Sequence, residues 1–157
     1  HAQSYVPPDL VEEVVLNSGR PVLILPYVGT FHEVGKSALI AWSNAREAAR
    51  ALNDALPLIE GGGTATILSF STTTEEARSS CDEVVRHLAC HGIKAKSEIM
   101  LVGDIGIMDT LLNNAADLGS DLLVMGAHGH IGLPFVSRGA GTRYILRHMT
   151  VPVLMSN

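Results

Sequence analysis

Four glycines and a threonine, Gly126, Gly129, Gly139, Gly141 and Thr142, are spaced so that the main chain rather than side chains could do the chemistry. They punctuate the stretch Leu122 to Thr142, where an apolar run, LLVM, leads into a long loop and then into residues able to open a helix. Glycine lets the backbone adopt conformations that a side chain forbids and brings N–H groups close to a ligand. The helix start that follows adds unpaired donors and a favourable dipole end. Such a strand, loop and helix would capture an anion, phosphate above all. No paired carboxylates, Ser/His/Asp grouping or Walker lysine accompanies it, so catalytic residues have no candidates. His128 and His130 form an H-x-H pair, but no nearby Cys or carboxylate completes a ligand set, and no metal is expected.

The elements that must position this loop alternate between strand and helix. Asp9 is read as the cap of a short helix, LVEEVVL, which stops near Gly19 and leads into a strand at Pro21 to Leu25. Pro26 to Gly35 reads as a linker. Gly35-Lys36-Ser37 imitates the end of a Walker A loop, yet Gly29 leaves five intervening residues where four are required, and the tripeptide precedes a strand, Ala38 to Trp42. Asn44 and Glu47 suggest a capping box for a helix with Ala45, Ala48, Ala49, Leu52, Ala55 and Leu56 on its apolar face, stopped by Pro57. A strand at Ala65 to Phe70 follows. Thr74 then begins a helix that carries Ala77, Cys81, Val84, Val85 and Leu88 and ends at Gly92. Ile93 to Leu101 alternates strictly, as an edge strand wetted on one face would. Asp104 is read as the cap of a helix through Leu118. Leu122 to Met125 is unbroken apolar and reads as a central strand covered on both sides. The alternation predicts an α/β fold, a parallel sheet with helices on both faces and a ligand crevice at the carboxyl ends of its strands.

The chain has 157 residues, 46% of them hydrophobic and 17% charged, which suits one domain with a sizeable core and not a disordered chain. A formal charge of −5 without a Lys/Arg cluster argues against a nucleic-acid partner. Apolar runs stay well below the roughly 18 residues of a membrane span. No secretory signal is read at the first residues. Cys81 and Cys90, on one helix, lie about 13 Å apart and do not pair. A reducing, cytoplasmic setting is expected.

The spacing Gly126, two residues, Gly129, nine residues, Gly139 and then Thr142, with the flanking VMGAHG and ILRHMTVPVLM, resembles the nucleotide loop of the universal stress protein family. The resemblance implies an open parallel five-stranded sheet of order 3-2-1-4-5 with helices on both faces. Its switch point falls between Ala38–Trp42 and Leu122–Met125, where an adenine nucleotide would sit. Met125, Gly126, His128, Gly129, Gly139 and Thr142 fit the family pattern, with main-chain amides and the Thr142 hydroxyl toward the phosphates. Phe70 would lie against the base, and Ala41 and Ser43 fall at the first-strand contacts. Arg138 could pair with a phosphate, and Ala140 and Gly141 complete the turn into the helix. Two positions depart: Ala140 stands where the family usually has Ser or Thr, and Ser43 where it usually has Asp. Hydrogen bonds to charged groups contribute roughly 1.5–3 kcal/mol each, so two weakened contacts could move a micromolar site toward millimolar.

The function the resemblance implies is binding of ATP or another adenine nucleotide, with or without Mg, in a cytoplasmic stress-response regulatory role. Two other readings stand beside it: a degenerate module that dimerises or regulates without nucleotide, and an enzyme, at most a slow ATPase.

One internal repeat adds to this. Pro21-Val22-Leu23 matches Pro152-Val153-Leu154 at an offset of 131, and the helical residues before each keep the same apolar register, Val14 and Val15 against Ile145 and Leu146. The expected organisation is a helix–strand remnant of a preceding repeat at 1–28, a linker at 29–36 and the stress protein domain at 37–157. Val22 to Leu25 is expected to pair with Val151 to Met155, within one chain or across a homodimer, since last-strand pairing is the family's mode of assembly and protects a sheet edge.

Overall fold

The computed structural model describes residues 7–71, 74–101, 106–127 and 139–157. In chain order these form α1 (Leu10–Asn17), β1 (Val22–Ile24), β2 (Ser37–Trp42), α2 (Arg46–Ile59), β3 (Thr64–Ser71), α3 (Thr74–Cys90), β4 (Lys94–Leu101), α4 (Ile107–Asp117), β5 (Leu122–Gly126), α5 (Ala140–His148) and β6 (Val153–Ser156). One sheet holds all six strands in the order β1-β6-β5-β2-β3-β4. Strands β2 to β6 run parallel, in the five-strand order expected. The sixth strand, β1, closes the edge antiparallel to β6, with Val22 opposite Met155, Leu23 opposite Leu154 and Ile24 opposite Val153. The expected last-strand pairing is therefore made within one chain.

The apolar run of β5 is central because it is covered on both sides. Leu122, Leu123 and Val124 are fully buried, and their side chains alternate between two cores. One core joins Ile40, Ile67, Leu122 and Val124 to Leu52, Ala55 and Ile59 of α2 and to Cys81, Val84 and Leu88 of α3. The other joins Leu39, Leu68, Leu123 and Met125 to Val15 of α1, Leu111 and Ala115 of α4 and Ile145 of α5. Helices thus lie on both faces. Strand β4 is the opposite edge and pairs with β3 alone among the described residues. No described helix is long and apolar enough to cross a membrane.

Several helix boundaries differ from expectation. Asp9 occupies the N-cap of α1, but its side chain makes no capping hydrogen bond. Helix α2 starts at Arg46 with Ala45 as its uncapped N-cap, so no capping box forms. Asn44 is drawn away instead: its Oδ1 accepts from Ser80 Oγ at 2.6 Å, and Ser80 Oγ accepts from Trp42 Nε1 at 2.8 Å. Pro57 lies inside α2 and does not end it. Proline there costs a helical donor, but Leu56 and Ile59, 7% and 1% exposed, hold the last turn on the sheet. Asp104 lies outside the described residues, and the N-cap of α4 is Gly106.

The Walker-like tripeptide grips an anion of the chain's own. Gly35 N and Ser37 N donate to Asp121 Oδ1, each at 3.0 Å, and Lys36 N donates to Asp121 Oδ2 at 2.9 Å. These bonds tie the start of β2 to the start of β5, so the two strands that flank the switch point share one register.

Candidate functional site

Strands β2 and β5 are neighbours, yet the chain visits β3 and β4 on one side of β2 before it reaches β5 on the other. At the carboxyl ends of the two strands this reversal leaves a crevice, as in other doubly wound sheets. It is lined by Ala41 and Trp42 of β2, Phe70 of β3, Met125 and Gly126 of β5, and by Ser43 from the turn after β2. Ala45, Glu47 and Ala48 form its roof and Ile107 and Leu111 one wall. Five expected site residues, Ala41, Ser43, Phe70, Met125 and Gly126, thus share one surface. The lining is apolar apart from Ser43 and Glu47, as suits the flat face of a base. The slot has a cavity volume of about 30 Å³, more than a single water needs, and it opens to solvent.

Glu47 and Ala48 were not expected there, and the cause is the short connection after β2. The strand ends at Trp42 and α2 begins at Arg46, so the first helical turn folds back over the strand ends. Gly126 permits that approach. A Cβ on it would lie 2.7 Å from Glu47 Cβ and 2.8 Å from Ala48 N, closer than such atoms can come. Gly126 is not among the positive-φ glycines, so its role is close packing and not the unusual backbone expected of it. Gly139 is the conformational one: at φ 90° it is the N-cap of α5.

Helix α5 offers the second half of the site. Gly139 precedes it, and Ala140, Gly141 and Thr142 make its first turn. Arg143 N donates to Gly139 O at 3.1 Å, closing the first helical bond. A helix N-terminus of this kind, with its main-chain donors and dipole end, is an arrangement that receives anions. Thr142 is buried at 3% exposure, and Gly141 is helical and needs no positive φ. Helix α4 links the two halves. Ile107 and Leu111 wall the crevice, while Asp109 between them accepts a short hydrogen bond from Tyr144 Oη of α5. That bond raises the Tyr144 phenol above its ordinary value, burial and the Asp109 charge adding to the effect. His128, Gly129 and Arg138 lie outside the described residues. Among the described residues no group of three or more His, Cys, Asp or Glu side chains is arranged to hold a metal.

A model of the universal stress protein family matches residues 63–157. Universal stress protein MJ0577 of Methanocaldococcus jannaschii is 30% identical over 83 residues, 52% of this chain and 49% of that protein. The match thus spans about half the length of this curated relative. The solved structure of MJ0577 covers 78% of the chain and is itself covered to 96%, at 22% identity and a TM-score of 0.67. A universal stress protein from Archaeoglobus fulgidus DSM 4304 matches 94% of the chain with 55% of its own length, at 18% identity and a TM-score of 0.72. A universal stress protein in complex with cAMP matches 80% of the chain with 98% of its own, at 16% identity and a TM-score of 0.61. These structural likenesses show a shared fold.

Proposed function

The chain belongs to the universal stress protein family, and from that premise we propose that it binds ATP or another adenine nucleotide in a stress-response regulatory role. The observation that carries the reading is that an apolar slot at the carboxyl ends of β2 and β5 and the N-terminus of α5, which connects the parallel strands β5 and β6, belong to the same end of the sheet. The base would enter between Phe70, Met125 and the roof of α2, and the phosphates would turn toward the amides that follow Gly139. The fold is shared with a protein whose complex with cAMP has been solved, which supports adenine as the base. His128, Gly129 and Arg138, from the loop between β5 and α5, complete the proposed phosphate contacts.

Binding is proposed to be weak. Ser43 offers a neutral hydroxyl where a carboxylate would bind more strongly, and Ala140 offers none. Mg would arrive with the polyphosphate. The role is regulatory: occupancy would change the partners or assembly of the protein, in a cytoplasmic setting. Homodimerisation through last-strand pairing would proceed by exchange, β1 of one copy lying on β6 of another in the register seen within one chain.

A second reading, a module that regulates or dimerises without nucleotide, is favoured by the small volume of the slot. Calorimetric titration with Mg-ATP and with cAMP, alongside thermal melting at millimolar nucleotide, separates the two. Heat of binding and a raised Tm support the nucleotide site. Neither response, from a protein that elutes free of nucleotide, would leave only the second reading.

A further inference from the structure

The pairing of β1 with β6 has a local twofold symmetry that the sequence repeat makes visible. Positions 131 apart correspond, which matches Val22, Leu23 and Ile24 to Val153, Leu154 and Met155. In the ladder Leu23 faces Leu154, its own counterpart, while Val22 and Ile24 face Met155 and Val153, the counterparts of each other. The twofold axis passes between Leu23 and Leu154, and a slip of one residue would move it off that pair and turn each side chain to the other face. The helices obey the same relation: Arg143 Nε donates to Glu12 Oε1 across the same separation of 131.

The two related units differ in what covers them. Thr142, Ile145, Leu154 and Ser156 are 3%, 0%, 4% and 2% exposed. Ile145 belongs to the core that also holds Leu111 and Ala115 of α4 and Leu123 of β5. The counterparts Val11, Val14, Leu23 and Leu25 are all apolar and are 42%, 42%, 41% and 56% exposed. The first unit therefore carries a buried residue pattern without its cover. The same twofold applied to β5, α4 and α2 lays a parallel strand along the open edge of β1, a helix across the outer face of α1 on Val11 and Val14, and a second helix on the opposite sheet face on Leu23 and Leu25.

We propose that the outer face of α1 and β1 is the docking surface of a second domain of this same α/β fold, lying before α1 in the same polypeptide and completed by α1 and β1 as its last helix and strand. A second copy of the chain does not meet the requirement, because its own β5 is already flanked by β2 and β6 and has no open edge. The occupant is a domain whose place for a last helix and strand is vacant, and α1 with β1 is the pair that fills it. An open apolar edge strand is otherwise an aggregation hazard, which the added strand removes.

The test compares amide hydrogen exchange over residues 10–25 in the 157-residue chain and in the polypeptide translated from the complete reading frame. Protection of that segment is expected to rise about tenfold or more in the complete polypeptide. Val14→Glu or Leu25→Glu should abolish the gain there. The same substitutions should leave the melting of the 157-residue chain nearly unchanged, since both side chains are already exposed in it. Equal exchange in the two proteins, or a reading frame with no domain before α1, would overturn the proposal. So would sedimentation of the 157-residue chain as a dimer with the segment already protected, which would assign the surface to a second copy.

Discussion

Arg143 Nε donates to Glu12 Oε1 at 3.2 Å, joining corresponding positions of α5 and α1 by opposite charges. Between identical units related by a twofold axis, like would meet like at this position. The charge pair therefore favours α1 of this chain over a second α5 as the neighbour of α5. With side-chain exposures of 54% and 21% the pair is partly screened. Arg143→Glu should cost about 0.5–1 kcal/mol in urea unfolding, and the swap Glu12→Arg with Arg143→Glu should recover most of it. Additive losses in that double-mutant cycle would show that the two residues are energetically independent.

Asp121 is the second long-range clamp. Its carboxylate accepts three main-chain donors, from Gly35, Lys36 and Ser37. Removing it leaves those N–H groups to water or to nothing, so Asp121→Ala should destabilise the fold by about 2–3 kcal/mol. Asp121→Asn, which keeps one acceptor oxygen, should lose less. Amide exchange at Gly35 to Ser37 should quicken in step with each loss, and unchanged exchange there would refute the assignment.

These two clamps mark how far the sequence is legible. Two strand positions follow from local signals, the unbroken run Leu122 to Met125 announcing a doubly covered strand and the alternation of Ile93 to Leu101 an edge, while the full order is what the family resemblance implies. The repeated PVL announces the β1–β6 pairing. Contacts between residues far apart leave no local trace, so Gly35-Lys36-Ser37 reads as a failed phosphate loop and nothing in the sequence marks Asp121 as its partner. Ala41, Ser43, Phe70, Met125 and Gly126 are named by the family resemblance, and they line one crevice because each stands at or just after the end of its strand. The roof of Glu47 and Ala48 is not foreseen, because it depends on how sharply α2 turns back after Trp42. Asn44 resembles a cap until Ser80, on another helix, supplies a competing donor.

Gly126 and Gly139 are both required, for different reasons that substitution can separate. Gly126→Ala drives a methyl group into Glu47 and into the Ala48 backbone, so α2 must shift. A loss of roughly 1–3 kcal/mol is expected, with closure of the slot and no measurable nucleotide heat. Gly139→Ala meets a backbone at φ 90° and should cost about 1–2 kcal/mol by strain. Asn, which tolerates the left-handed region, should recover part of that stability at Gly139 but none at Gly126. Equal tolerance of Asn at both positions would contradict the distinction.

The two cysteines should report on the core by their reactivity. Cys81 is 0% exposed and sits among Ile67, Val84 and Leu88, whereas Cys90 is exposed at the end of the same helix. Burial pushes the Cys81 thiol above its ordinary value, Ser69 opposing through a hydrogen bond and the Asp82 charge adding to the rise. An aromatic disulfide reagent at pH 8 should therefore modify one thiol per chain at once and the second only at the rate of unfolding. The pH dependence follows in sign. The folded state favours the neutral thiol, so its contribution is complete below the ordinary thiol value and declines as pH rises, the unfolded chain ionising first. Cys81→Ala should remove that part of the alkaline decline while Cys90→Ala leaves it intact, and an unaltered slope in Cys81→Ala would exclude the buried thiol as its source.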